Sequence, residues 1–344
     1  MLKKKIKIFL GGYINYPNAQ NLNCLALAKY LDPSKFTTYA LSLHFSPKIE
    51  SQAILFNCFY PLRISSVLGF LWGIIKCDIA YLPKHKLHPF WIHYIAILLG
   101  KKIFTTVENN MCDLEKESMI NSFQGKKNLI NYFQRIPNIF GITNYIIDNA
   151  NCGVTLENKV LYLGVESDLY IEKVRKKIKN IVFVGSLKKR KRVGEFLQLA
   201  EIFPDINFNI IGDGSDMKSL KIKAKNNVIF YGHLSQLELA SKFNDMDLHI
   251  LPSISEGFPK VILEAASSGI PSIVYSNYGA SEWIDNNTNG FIVNNFDQLS
   301  NTLRRLLDDK DLLISNSEGA ILLAKKFDWK IVVNEWDNVI CNLR

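Results

Sequence analysis

The run Asp247-Leu248-His249-Ile250-Leu251, followed after Pro252 by Ser253-Ile254-Ser255-Glu256-Gly257-Phe258-Pro259-Lys260-Val261-Ile262-Leu263-Glu264-Ala265, is the stretch from which the fold can be read. Its first part is short and apolar and predicts a buried parallel strand over 247–251. Its second part becomes helical, and Pro259 suits a first helical turn, where its missing N–H has no partner to lose. The N–H groups of Lys260, Val261 and Ile262 are then expected to point out of a helix N-terminus. That end carries partial positive charge and free donors, which suits an anion. Lys260 and Glu264, four apart, share one face of the helix, and Glu256 sits in the loop before it. Two carboxylates, an amine and a helix N-terminus on one crevice suit a ligand with hydroxyls at both ends and phosphate in the middle, as in a nucleotide-sugar.

Outward from this stretch, strand and helix alternate along the chain. Apolar runs predict strands over 5–10, 37–43, 53–59, 78–82, 103–107 and 142–147, with helical spacing over 21–31, 67–75 and 90–99. The first strand is expected to end in a turn at Gly11-Gly12, where the absent side chains let backbone approach a ligand. No G-x-G-x-x-G follows it, so this is no dinucleotide fingerprint. The aromatic segment 89–96 could lie on a membrane, and packing against the sheet is preferred. Residues 111–127 are polar without a clear period and read as a mobile loop or an acceptor-side helix. The charged run 172–179 reads as a linker, and strands over 181–184, 208–211, 228–231, 272–275 and 289–293 follow, with helices over 193–200 and 297–307. Such alternation predicts an α/β fold with mostly parallel sheets covered on both faces.

A second motif lies at the turn after strand 181–184. Gly185-Ser186-Leu187 leads into five successive cations, Lys188-Lys189-Arg190-Lys191-Arg192, and then an amphipathic helix. Cations at a strand-to-helix turn suit a diphosphate and the charge that grows on it as a leaving group. A solvated basic turn is the competing reading.

The setting S-E-G-F-P-K-V-I-L-E-A, with seven residues between Glu256 and Glu264 and Ala-Ser-Ser-Gly-Ile-Pro after it, resembles the E-x7-E signature of retaining GT-B glycosyltransferases of the group 1 type, which include many bacterial surface-polysaccharide enzymes. The likeness is close over about 160–340 and rests on layout before that. It implies two Rossmann-like domains facing each other across a cleft: 1–163 on the acceptor side, 164–325 holding the nucleotide-sugar, and 326–344 as a helix crossing back. It also implies roles. Glu256 would take the sugar hydroxyls and Glu264 the ribose; Lys191 and Arg190 would take the diphosphate with the helix N-terminus at Gly257, Phe258, Lys260 and Val261. Gly185, Ser186 and Gly212 would lie along the phosphates, His233 and Leu234 at the base, and Gly11 and Gly12 across the cleft. Two positions depart from the pattern. Glu108 and Asn109 stand where relatives carry a sugar-contacting histidine, and Ser186 stands where they carry an arginine, with Arg190 the natural substitute. A GT-B phosphorylase or nucleotide-sugar epimerase, or a non-catalytic nucleotide-sugar or nucleic-acid binding module, are the alternatives.

The chain has 344 residues, 48% apolar and 21% charged, room for two globular domains. Its net charge of +9 is concentrated in 1–170, which hold 18 Lys/Arg against 11 Asp/Glu. An anionic membrane surface fits that excess as a partner, beside the expected UDP- or GDP-sugar donor and a lipid-linked or glycan acceptor; nucleic acid is disfavoured. The six cysteines show no metal spacing and are expected as reduced, mostly buried thiols. No signal peptide and no spanning run of roughly 18 apolar residues is seen, so a cytoplasmic protein, peripheral on the inner face of the membrane, is expected. No D-x-D motif lies in a plausible loop, so no metal and no other cofactor is expected.

Overall fold

Isoleucine, valine and phenylalanine crowd the strand segments because each strand is covered on both faces, as in parallel sheets generally. The computed structural model describes residues 4–343 apart from 17, 48, 50, 85–88, 90 and 113–118. The first half contains β1 (Ile6–Tyr13), α1 (Ala19–Tyr30), β2 (Phe36–Leu43), β3 (Ile54–Cys58), α2 (Leu62–Lys76), β4 (Ile79–Tyr81) and α3 (Ile92–Leu98). It continues with β5 (Lys102–Val107), α4 (Met119–Ser122), α5 (Lys126–Phe133), β6 (Asn138–Gly141), α6 (Asn144–Asp148) and β7 (Glu157–Val160). These strands pair in parallel in the order β3-β2-β1-β4-β5-β6-β7.

The second half contains β8 (Asn180–Val184), α7 (Val193–Ile202), β9 (Asn207–Ile211), α8 (Met217–Lys223), β10 (Val228–Gly232) and α9 (Gln236–Phe243). Then come β11 (Leu248–Leu251), α10 (Lys260–Ser267), β12 (Ser272–Tyr275), β13 (Gly290–Val293), α11 (Phe296–Asp308), α12 (Lys310–Lys326) and α13 (Trp329–Asn342). This sheet is also parallel, in the order β10-β9-β8-β11-β12-β13. The chain therefore has the two Rossmann-like sheets of a GT-B fold. Strand order reverses between β1 and β4 and between β8 and β11, and crevices open at the carboxyl ends of strands at such points.

The last helix returns to the first domain. Trp336 of α13 is fully buried, edge-on to Tyr81 at 5.4 Å, and its indole N–H donates to the Tyr162 carbonyl at 2.9 Å. Asp337 meets Lys35 at 3.2 Å beside it.

Four expectations need correction. Residues 142–147 are not a strand: β6 ends at Gly141, and Thr143 caps α6 by accepting the Ile146 N–H at 3.1 Å. The threonine hydroxyl competes for backbone and starts a helix there. Residues 172–179 are no free linker, because Arg175 is buried and its guanidinium donates to the carbonyls of Asn244, Phe243 and Ser268. Cys112 and Cys152 form a disulfide, since the fold brings positions forty apart in sequence to a Cα separation of 5.4 Å; Cys24, Cys58 and Cys77 are buried thiols. The presumed turn at Gly11-Gly12 is buried strand, the chain turning only after Tyr13. A Cβ on Gly11 would meet Leu82 at 2.9 Å and one on Gly12 would meet Cys24 at 2.8 Å, so these glycines make room for neighbouring side chains. Within 111–127, α4 and the start of α5 are helical, and 113–118 lie outside the described residues, as does Phe90 of the aromatic segment.

Trp336→Ala is expected to destabilise the protein by about 3–5 kcal/mol through a cavity in the first domain's core. Lys225→Ala, which removes an exposed ion pair with Glu201 at 3.2 Å, should change little. Thermal melts of the two variants check the contrast.

Candidate active site

The loops leaving β8 and β11, the two strands at the reversal point, are laced together. The Ile254 N–H donates to the Arg190 carbonyl at 2.8 Å, and the Arg190 guanidinium donates to the Ser255 carbonyl at 2.6 Å and to Glu256 Oε2 at 3.3 Å. Lys191 Nζ donates to Glu256 Oε1, and both side chains are buried, at 9% and 8% exposure. Of the five cations only Arg190 and Lys191 join this cluster. Lys188 and Lys189 are exposed, and Arg192 turns away to pair with Glu195 at 3.1 Å. Behind the cluster His249 is fully buried against Ser272. Burial, and then the nearby lysine charge, push it down to about 3, so it adds no positive charge at neutral pH.

The carboxyl ends of β8, β9 and β10 lie beside this pair. A Cβ built on Gly185 would be 3.6 Å from Lys191 Nζ. Gly212 has φ 132° and a Cβ there would lie 2.0 Å from the Gly185 carbonyl, so only glycine fits. Ser186 is half-buried at the same turn; His233 stands exposed and Leu234 half-buried just after β10.

At the start of α10 the expected geometry is altered in three details. Pro259 caps the helix from outside, and Lys260 is the first helical residue. The Ile262 N–H is taken by the Pro259 carbonyl at 2.9 Å, which removes it from the set of donors expected to face a ligand. The Phe258 ring turns into an aromatic cluster with Trp283 at 5.1 Å and Phe327 at 5.7 Å, so only its backbone borders the crevice. Val261 and Glu264 are half-buried on α10.

The first domain closes over this arrangement. A Cβ on Gly257 would lie 1.8 Å from the Glu108 carbonyl, so the two domains' loops touch where a side chain would separate them. Asn23 of α1, fully buried, donates to Glu108 Oε1 at 2.9 Å and accepts from Lys260 Nζ at 2.6 Å. Thr106 reaches the same Glu108 oxygen at 3.4 Å. Burial raises the Glu108 and Glu264 carboxyls above the ordinary carboxylate range against the pull of Lys260, and burial lowers Lys260. A cleft of about 480 Å³ remains, lined from the first domain by Gln20, Lys84, Thr106, Glu108, Asn109 and Asn121 among others, and from the second by Arg190 and Ser255. Glu256, Lys191, Arg190, Glu108 and Gly185 thus come together; Gly11 packs against Leu82 and Gly12 against Cys24 of α1. Asn23 was not foreseen. It lies in α1, a helix buried on most sides rather than along one stripe, so its spacing does not single it out.

Residues 167–320, the part that carries this cluster, match the family model described as Glycosyl transferases group 1. An uncharacterized glycosyltransferase of Haemophilus influenzae is 24% identical over 266 residues, 74% of this chain and 69% of that protein. The UDP-Gal:alpha-D-GlcNAc-diphosphoundecaprenol alpha-1,3-galactosyltransferase of Escherichia coli is 34% identical over 143 residues, 38% of this chain and 37% of its own. The solved structure of Anabaena HepE in complex with UDP-glucose superposes with a TM-score of 0.79, covering 98% of this chain and 100% of that one; at 16% identity the likeness concerns the fold. The second domain thus matches the group 1 glycosyltransferases, and the whole chain has the GT-B fold of glycosyltransferase structures.

Two predictions follow from the charges. Lys191→Met or Glu256→Gln alone should cost on the order of 3 kcal/mol by removing a buried counter-charge. The double variant should lose less than the sum of the two, as a double-mutant cycle by urea unfolding would read. Because the Glu108 and Glu264 carboxyls titrate high, they take up protons before exposed carboxylates do as pH falls. Nucleotide-sugar affinity is expected to weaken on acidification while still above the ordinary carboxylate range. In Glu108→Gln/Glu264→Gln that acid limb should be absent from a binding titration against pH.

Proposed function

We propose that the protein transfers a sugar, with retention of anomeric configuration, from a UDP- or GDP-sugar to a lipid-linked or polysaccharide acceptor in surface-glycan synthesis at the cytoplasmic face of the membrane. The observation that carries this reading is the buried Lys191–Glu256–Arg190 cluster at the reversal point of one sheet, facing Glu108 and Asn23 of the other domain. The donors named for the Escherichia coli and Anabaena relatives favour UDP. No helix among the described residues is long and apolar enough to cross a membrane, so membrane attachment in this reading is peripheral.

The chemistry follows from the charges. Before a donor arrives, Glu256 serves as the counter-ion that makes burial of Lys191 tolerable. A diphosphate brings its own negative charge, so Lys191 and Arg190 can turn to its oxygens and Glu256 is released to accept sugar hydroxyls. As the bond from the sugar C1 to the phosphate oxygen breaks, its electron pair stays on that oxygen, where the two cations stabilise it. The acceptor hydroxyl attacks C1 from the same face, and its proton passes to the departing phosphate oxygen. Glu264, on the face of α10 that carries Lys260, takes the ribose hydroxyls. No protein nucleophile and no protein-held metal is required by these steps.

Binding of a nucleotide to the folded state raises the melting temperature by mass action. A shift with UDP or GDP but not with ADP or CMP, unchanged by chelator and lost in Lys191→Ala, is the expected result. Glu256→Gln turning over donor at the wild-type rate would remove Glu256 from the reaction.

A further inference from the structure

The carboxyl edge of the first sheet carries two groups of functional-looking side chains. Beyond β4 and β5 it borders the cleft, with Lys84, Thr106 and Glu108. Beyond β2 and β3, on the far side of β1 in the strand order, it carries a second group that the transfer steps do not use. His44 and Phe45 follow β2, and Tyr60 follows β3. The Phe45 and Tyr60 rings stack at 5.5 Å with 21° between their planes. The His44 ring stands edge-on to both, at 5.3 and 5.2 Å. These rings are not core: Phe45 is 47% exposed and Tyr60 65%.

Hydrogen bonds hold the group in place. The Leu43 N–H donates to Asn15 Oδ1 and the Asn15 amide donates back to the Leu43 carbonyl, each at 2.8 Å, so the turn after β1 grips the turn after β2. The His44 backbone N–H and its ring Nδ1 both donate to the Cys58 carbonyl, at 3.1 and 2.9 Å. Next to Tyr60, the hydroxyl of the buried Ser65 accepts the Phe59 N–H at 3.1 Å and donates to the Phe59 carbonyl at 2.5 Å. Beside the rings lies a cavity of about 270 Å³, lined by Asn15, Ser42, His44, Ser46 and Asn57 among others. A carbonyl can only accept, so His44 Nδ1 carries the proton of its bond, and Nε2 of the neutral ring is left as an acceptor. Asn57 accepts from Ser42 through its oxygen, which leaves its amide N–H groups as donors.

We propose that this group is a binding subsite for an internal sugar of a glycan acceptor, with the ring of that sugar stacked on Phe45 and Tyr60 and its hydroxyls paired with His44 and Asn57. The C–H face of a sugar ring is weakly positive and settles on the negative face of an aromatic ring. Its hydroxyls both donate and accept, so they need both kinds of partner at the rim, and a rigid apolar platform with a few placed polar groups supplies them. An acyl chain would leave the polar pair unused. Position decides which sugar binds. Adjacent strands lie about 4.8 Å apart, so β2 and β3 stand three and four strands, roughly 14–19 Å, from β5 and Glu108. A single sugar cannot sit on the rings and in the cleft at once, whereas a chain of several can, with its growing end in the cleft. The proposal rests on the glycosyltransfer reading and selects, from the acceptors that reading allows, an oligosaccharide or polysaccharide.

The test is binding of the full chain to an array of bacterial surface glycans graded from monosaccharides to long repeats. Wild type is expected to bind among the long glycans and to no monosaccharide. Phe45→Ala and Tyr60→Ala alter exposed side chains. Each should keep the wild-type melting temperature and its shift with nucleotide while glycan affinity falls by about tenfold. Tyr60→Phe keeps the ring and should bind like wild type. A wild type that binds no glycan, equal binding to monosaccharides, or alanine variants that bind like wild type would each overturn the proposal. So would a wild-type dimer in ultracentrifugation that Tyr60→Ala dissociates, since the rings would then belong to a second copy. Ring-dependent glycan binding in a protein that no nucleotide stabilises would defeat the glycosyltransfer reading and leave the subsite standing.

Discussion

A buried ammonium and a buried carboxylate hold the centre of this molecule. Taking either charge out of water alone would cost several kcal/mol, and the pair is tolerable only because two loops from neighbouring strands deliver Lys191 and Glu256 to one another. Those loops are fixed by the Ile254 to Arg190 backbone bond and by the Arg190 guanidinium on the Ser255 carbonyl. The result is a site whose charges are already balanced and oriented before a ligand enters. In the proposed reading an incoming diphosphate would meet preorganised cations rather than cations that must first be gathered, which is where electrostatic stabilisation is most effective.

The second domain alone does not complete the site. Glu108, Asn23 and Lys260 make a polar bridge over the cleft, and the touching loops at Gly257 set how closely the halves approach. Away from the cleft, Glu282 accepts the N–H groups of Asn144 and Tyr145 at the start of α6, and α13 locks its Trp336 into the first domain. The two halves are thus joined by the polar bridge over the cleft and, behind it, by the Glu282 hydrogen bonds and the burial of Trp336. That division suits a cleft that changes its contacts as substrates come and go while the chain stays in register.

Much of this was legible in the order of residues. Apolar runs with a period change from strand to helix, closed by glycine, placed the strands of the second domain to within a residue or two, because parallel strands buried on both faces admit little else. The likeness around Glu256 and Glu264 pointed to the family whose model residues 167–320 match. Local signals misled where tertiary contacts override them. Gly11 and Gly12 look like a turn and lie in buried strand, the Phe258 ring looks free to face the crevice and packs among aromatics, and Cys112 and Cys152 carry no mark of their pairing.

By itself, then, the sequence determined the two-sheet α/β architecture, the basic strand-to-helix turn at 185–192 and the placing of one carboxylate before and one on the helix after β11, because each depends on spacing along a few turns of chain. Only the tertiary structure decided that Lys191 is neutralised by Glu256 and that Asn23 bridges Glu108 and Lys260. Those facts join residues tens to hundreds of positions apart. Whether such residues meet is set by how the layers stack, and one-dimensional spacing carries no record of it.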